Sequence, residues 1–191
     1  MFYQAAEFPF IKEFEKQYEA IRQEFLGLDP RVLNIHRNGP HEQYVAALID
    51  NNGWTPSWQV KSKQPNEGWL TYGLSFRGFF PKEAETKFPL TMNLLSRLQG
   101  LRVCAFSRMA PLSFIAPHRH PELGRGLLTF HLGIDVAPGK SFLFVDGIPS
   151  EEANAKSVVF DGSHEHFAVN MSSSDRTILY MEFDSNEAKL I

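Results

Sequence analysis

Cysteine is almost missing from this 191-residue chain, which has only Cys104. A single thiol can form no intramolecular disulfide and no thiolate zinc cluster, so both kinds of covalent or metal staple are excluded. Within LRVCAF it reads as a small buried hydrophobe. A positive excess is missing too. Nineteen Lys and Arg stand against 22 Asp and Glu, for a net charge of -3. A general nucleic-acid binder needs a basic face to displace counterions, so that class is not expected. No apolar run is long enough for a membrane span. The opening MFYQAAEFPF has neither the basic segment nor the continuous apolar stretch of a secretory signal. The expectation is a cytoplasmic protein that binds neither nucleic acid nor membrane.

What is abundant is phenylalanine, at seventeen residues, and a chain of this length can bury a substantial core. One domain spanning 1–191 is expected. In PFIKEFEKQYEAIRQEFLGL, Phe10, Phe14, Tyr18, Ile21 and Phe25 recur at spacings of three and four. That pattern predicts an amphipathic helix from Pro9 to about Gly27 that packs its aromatic stripe on the rest of the fold. KFPLTMNLLSRLQGL predicts a second helix between Pro89 and Gly100. The stretch from Gly39 to Gly68 reads as loops with one short strand, VAALI. Its tryptophans, with Trp54, Trp58 and Trp69 in or near it, serve either as pocket walls or as core anchors. From Leu101 the pattern changes to short β-branched and aromatic runs: LRVCAFSRMA, LLTFHLGIDV, KSFLFVD, SVVF, HFAVNM and RTILYMEF. Turn signals such as APG, DG and SSSD separate them. This predicts a mostly β fold, with the helical and loop part (1–100) packed outside a C-terminal β-barrel (101–185).

Five of the seven histidines fall in that C-terminal half, in PHRHPELGRGLLTFHLG and FDGSHEHFAVN. Strand alternation would point His118 and His120 to one side, and His164 and His166 likewise. Neutral imidazoles gathered in this way suit iron, zinc, copper or nickel. Ten residues after His166 comes Arg176, on the otherwise apolar strand RTILYMEF. An arginine turned inward there demands an anion, because an unpaired buried guanidinium is costly, and its planar fork matches a carboxylate.

Taken together, APH, LTFHLGI, VVFDGSHEHFAVN and DRTILYMEF resemble the aspartyl/asparaginyl β-hydroxylase family. The resemblance spans residues 8–185 and includes EKQYEAIRQE, GWLTYGLSFRG and FPLTMNLLSRLQGLRVCAFSRMAP. It implies a double-stranded β-helix, a jelly roll related to the cupins, with Fe(II) and 2-oxoglutarate as cofactor and cosubstrate and molecular oxygen as oxidant. It implies His118 and His166 as iron ligands. It also implies that Arg176 pairs with the far carboxylate of 2-oxoglutarate, with His131, Ser107 and Met109 in further contact with that cosubstrate. His164 is then a supporting or surface residue. The reaction implied is hydroxylation of an unactivated C–H bond on a peptide aspartyl or asparaginyl side chain, an amino acid or other small molecule, or a lipid acyl chain.

Two positions depart from the family pattern. Thr129 stands where an arginine is usual two residues before the HLG histidine, with Arg125 or Arg119 as substitutes. His120 stands where many relatives carry a carboxylate. His120 then either ligates the metal or bonds a ligand water, or else Glu122 reaches in from the loop. Two other readings remain open. One is a cupin-type metalloenzyme using His118, His120 and His166 without 2-oxoglutarate, in which Arg176 is structural. The other is a non-catalytic binding module.

Overall fold

The computed structural model describes residues 1–29, 31–33, 46, 53–58, 65–81 and 83–191. The expected strand VAALI, Ala46 apart, and most of the 39–68 stretch lie outside the described residues, as does the side chain of Trp58. The strands are β1 (Phe2–Tyr3), β2 (Thr55–Trp58), β3 (Pro65–Phe76), β4 (Leu98–Gln99), β5 (Leu101–Met109), β6 (Ser113–His118) and β7 (Leu127–Asp135). They continue with β8 (Ser141–Val145), β9 (Ile148–Glu151), β10 (Ser157–Phe160), β11 (His166–Asn170), β12 (Arg176–Asp184) and β13 (Lys189–Leu190). The helices are α1 (Pro9–Lys16), α2 (Tyr18–Leu26), α3 (Ala84–Lys87) and α4 (Pro89–Arg97).

The antiparallel strands form a seven-stranded sheet, β1-β10-β7-β12-β5-β3-β2, a four-stranded sheet, β6-β11-β8-β9, and the small pair β13-β4. This is a mixed α/β fold dominated by antiparallel sheets with flanking helices. The expected barrel is not what forms: among the described residues no sheet closes on itself. The reason lies in β1, β2 and β3, which the helix-and-loop reading of the first hundred residues did not include. β3 pairs with β5 from Trp69↔Met109 to Phe76↔Val103, so β5 is internal to the large sheet rather than free to join the small one.

Both faces of the large sheet are covered, which explains why β7 and β12 are buried almost throughout. Alternation sends Leu128, Phe130, Leu132 and Ile134 of β7, with Leu179, Met181 and Phe183 of β12, to the helical side. There Phe10 of α1 meets Phe183, and Phe14 meets Phe130, edge to face. The predicted single helix is in fact two, broken at Gln17 (φ -92°, ψ 7°). The break lets the second half follow the twisted sheet: Tyr18 Oη donates to the Ile134 carbonyl at 3.2 Å, and Phe25 packs on Phe106. Glu24 of α2 then caps α4, accepting from the Leu90 and Thr91 amides at 2.7 and 3.0 Å. A carboxylate at that helix start satisfies amides that have no partner within the helix. Trp54 belongs to this core, while Trp69 faces the other way.

The inward residues of the large sheet face the small sheet. Met109, Val158 and Phe160 pack with Ile115, Leu143, Val145 and Ala168 into a second, smaller cluster. Beside that cluster a cavity of about 330 Å³ opens between the sheets.

Candidate metal centre and the cavity behind it

The histidines meet because β6 and β11 pair with His166 directly opposite His118. Their ring centroids are 4.3 Å apart. His120 completes the group, 5.0 Å from His118 and 5.4 Å from His166. One ring nitrogen from each of the three lies within 4.8 Å of the others. The expected alternation within HRH and HEH is not what assembles the trio. His120 lies past the end of β6, placed by its amide donating to the Gly162 carbonyl at 2.9 Å. His164 sits in the turn before β11, where its exposed ring bonds Asp146 at 2.7 Å. The FDGSHEH turn thus contributes through its backbone. Ser163 N–H closes on Asp161 Oδ1 at 2.8 Å, Gly162 presents its carbonyl to His120, and the His164 carbonyl accepts from His166 Nδ1 at 2.8 Å.

The Nδ1 atom of each ring is held by an oxygen. His118 Nδ1 donates to the Ala116 carbonyl at 2.8 Å, and His120 Nδ1 lies 3.3 Å from Glu122 Oε1. A carbonyl can only accept, so it fixes the proton on Nδ1 and makes Nε2 the metal-binding nitrogen, the usual support for metal-bound imidazoles. Burial pushes the His166 pKa down to about 3, against its bond to the His164 carbonyl and with help from the neighbouring imidazoles. Burial likewise lowers His118, with His120 adding to the effect. Burial thus favours the neutral, metal-binding form of His118 and His166, and the three-imidazole donor set fits a divalent transition ion.

A second polar group lies at the buried end of the cavity. Arg176, 1% exposed, is inward as expected, but it already has its carboxylate. Nε donates to Glu152 Oε2 at 2.9 Å and Nη2 donates to Oε1. Glu152, also 1% exposed, accepts in addition from His131 Nδ1 and Ser141 Oγ, each at 2.9 Å. Burial alone would raise the Glu152 pKa, but the charge of Arg176 and the bond from His131 hold it well below the usual carboxylate range. Burial lowers His131, partly offset by Glu152. Sequence reasoning missed Glu152 because EEANAK looks like a solvated turn. The available signal was the glycine of HLG. A Cβ on Gly133 would stand 2.0 Å from the Ala153 carbonyl oxygen, so only glycine lets residues 152–156 lie against β7 and deliver Glu152 inward.

Of the other expected cosubstrate contacts, Ser107 lines the cavity and accepts from Trp69 Nε1 at 3.0 Å. Met109 is fully buried in the smaller apolar cluster instead. Thr129 is buried on the inner face of β7. Neither suggested substitute for the family arginine lines the cavity: Arg125 is exposed in a turn, and Arg119 reaches outward towards Glu165 at 3.9 Å. The arginines that do line it are Arg176, Arg77 and Arg102. Arg102 faces inward because the register shift between Glu182 and Phe183 makes it the extra residue of a β-bulge.

Three supported imidazoles between two antiparallel sheets are the makings of a metalloenzyme centre. The chain belongs to the aspartyl/asparaginyl beta-hydroxylase family, whose model matches residues 15–186. A curated relative, the ornithine lipid ester-linked acyl 2-hydroxylase of Rhizobium tropici, is 28% identical over 183 residues. The alignment takes in 95% of this chain and 59% of the relative, so the chain spans less than two thirds of that protein's length. Among solved structures, an oxidoreductase of the 2OG-Fe(II) oxygenase family from Burkholderia pseudomallei aligns over 78% of this chain and 81% of its own, with 16% identity and a TM-score of 0.49. The cupin domain of Schizosaccharomyces pombe Cnp3 aligns over 68% and 74%, with 7% identity and a TM-score of 0.42.

Proposed function

We propose that the protein is a metal-dependent oxidoreductase whose divalent transition ion is held by His118, His120 and His166. The observation that carries this reading is the convergence of three ring nitrogens within 4.8 Å, each ring supported through Nδ1. A redox-active ion at that position supplies the oxygen chemistry that no side chain in the cavity offers. The chain's own residues position the substrate and keep it dry. Ile115, Leu143, Phe160, Ala168 and Ile178 form apolar walls around the trio, and such walls exclude bulk water and strengthen nearby polar contacts. Trp69, oriented by its bond to Ser107, stands 6.2 Å from the His118 ring. Arg77, Arg102 and Glu122 lie where the lining reaches the exposed residues.

Anaerobic titration with Fe(II), and with Co(II) as a spectroscopic substitute, tests the reading. The expected result is one ion per chain, lost in His166→Ala. Tight binding that survives His118→Ala and His166→Ala together would reject it.

A second reading, hydroxylation dependent on Fe(II) and 2-oxoglutarate, is favoured by family membership and by Arg176 on the cavity wall. Under it, the Rhizobium tropici relative makes the carbon beside an acyl carbonyl the first substrate position to test, and the apolar walls suit such a chain. Its signature is the visible charge-transfer band of the Fe(II)–2-oxoglutarate chelate. The filled fork of Arg176 weighs towards the three-histidine reading.

A further inference from the structure

Arg176 and His131 line the buried end of the cavity, and the carboxylate of Glu152 stands behind them, bonded to both. We propose that Glu152 is a built-in counter-ion to Arg176 and that it sets the cavity against dicarboxylates, in favour of ligands whose inner end is uncharged. This rests on the reading of the cavity as the chamber of a metal at His118, His120 and His166.

Four observations carry the proposal. First, the side-on edge of the guanidinium, Nε with Nη2, is taken by both oxygens of Glu152. This is the paired geometry in which arginine binds a carboxylate most strongly. Second, Glu152 has no route out. Its amide donates to the Ser141 carbonyl at 3.0 Å, its side chain holds Ser141 Oγ, and the following segment is locked to β7 by Ala155 N–H on the Gly133 carbonyl at 3.0 Å. Third, a second carboxylate brought to the other edge of Arg176 would share one positive charge with Glu152, leaving a buried net negative charge. The position that could supply another cation is Thr129. Fourth, Glu152 is an acceptor, so the proton of His131 lies on Nδ1. His131 thus offers the cavity a lone pair on Nε2, which can accept from a hydroxyl or amide but only repels a carboxylate.

The ligand class that follows is a largely apolar molecule ending in a hydroxyl or amide that reaches His131. Any anionic group it carries belongs near Arg77 at the mouth, because Arg102 is paired with Glu182 at 3.5 Å.

The test compares 2-oxoglutarate with 2-oxoglutaramate, which keeps the keto-acid head and replaces the far carboxylate by an amide. Binding is read by calorimetry and by tryptophan fluorescence on Mn(II)-loaded protein. The unmodified protein is expected to prefer the amide by on the order of tenfold or more, the effect of one like charge across a poorly hydrated guanidinium. Glu152→Gln is expected to reverse that order, and adding Arg176→Met to abolish the gain. Preference of the unmodified protein for 2-oxoglutarate overturns the proposal. So does an unchanged 2-oxoglutarate affinity in Glu152→Gln, or no binding of either ligand to either protein. Should Glu152→Gln not fold, the order in the unmodified protein decides alone. Mn(II) stoichiometry on the same samples scores the metal reading separately. Glutarate against glutaramate on metal-free protein scores Glu152 even where no metal binds.

Discussion

The two polar groups of the cavity are built on opposite principles. At one end, three imidazoles are pressed together with their Nδ1 atoms tied back, and burial disfavours protonation of His118 and His166. Nothing within the group supplies charge, and what it lacks is a cation. At the other end, both oxygens of Glu152 are taken by Arg176, His131 and Ser141, so the one buried anion is already balanced by the one buried cation. Buried polar groups of the first kind create a binding site, whereas those of the second hold a core in register and refuse further charge. Residue type alone does not separate the two cases. Histidine sits in each neighbourhood, and only its partners differ.

The sharpest way to break this contrast is to unbalance the closed end. Removing one member of a buried ion pair leaves an uncompensated charge and costs about 3–5 kcal/mol, while replacing both with apolar groups is often neutral. Arg176→Met and Glu152→Leu are each expected to lose that much stability in urea unfolding, and the double variant to recover most of it. Single losses that simply add in the double variant would show that the pair does not act as a closed unit. Gly133→Ala attacks the same end through the backbone. With the new Cβ at 2.0 Å from the Ala153 oxygen, overpacking should cost about 3 kcal/mol. Gly139→Ala meets no atom within 4 Å and carries only its left-handed φ of 67°, for about 1 kcal/mol. Equal melting temperatures for the two glycine variants would deny that Gly133 sets the position of Glu152.

Much of the open end was legible in the sequence, because its information is local to strands. His118 and His166 stand next to runs whose alternation is clear, and Arg176 begins RTILYMEF. The closed end was not legible. Glu152 follows the exposed strand β9, and its inward turn depends on a contact with Gly133 nineteen residues away, which no periodicity records. The strand β3 was missed for a related reason. Pro65, Gly68 and Gly73 depress any strand reading, yet the edge of β5 recruits the segment. His120 joined the trio as one of the expected alternatives, but by a different physical route. Its backbone is held by the Gly162 carbonyl rather than by strand pairing.

At the open end the three ligands are not equally supported. His118 and His166 bond backbone carbonyls, which mutation cannot remove, whereas His120 relies on Glu122, whose carboxylate is more than half exposed. Losing an orienting partner of a metal-bound histidine typically lowers metal affinity about 10–100-fold. Glu122→Ala is therefore expected to weaken Co(II) binding at the low end of that range, with stoichiometry unchanged. Unaltered affinity would remove Glu122 from the centre.

The smallest expected effect concerns acid. Glu152 is held below its ordinary 4.5 in the folded chain, so the unfolded chain binds the proton more readily. Its contribution to stability is present above that ordinary value and is lost as pH falls below it. His131, also lowered from its ordinary 6.5, adds a loss with the same sign that begins at higher pH. In Glu152→Gln the carboxylate contribution is gone while that of His131 remains. On metal-free protein, the stability gap between the unmodified chain and Glu152→Gln should narrow as pH falls below 4.5. Urea midpoints that fall in parallel across that boundary would mean that Glu152 is not the ionised member of a closed set, and the contrast between the two ends of the cavity would lose its electrostatic basis.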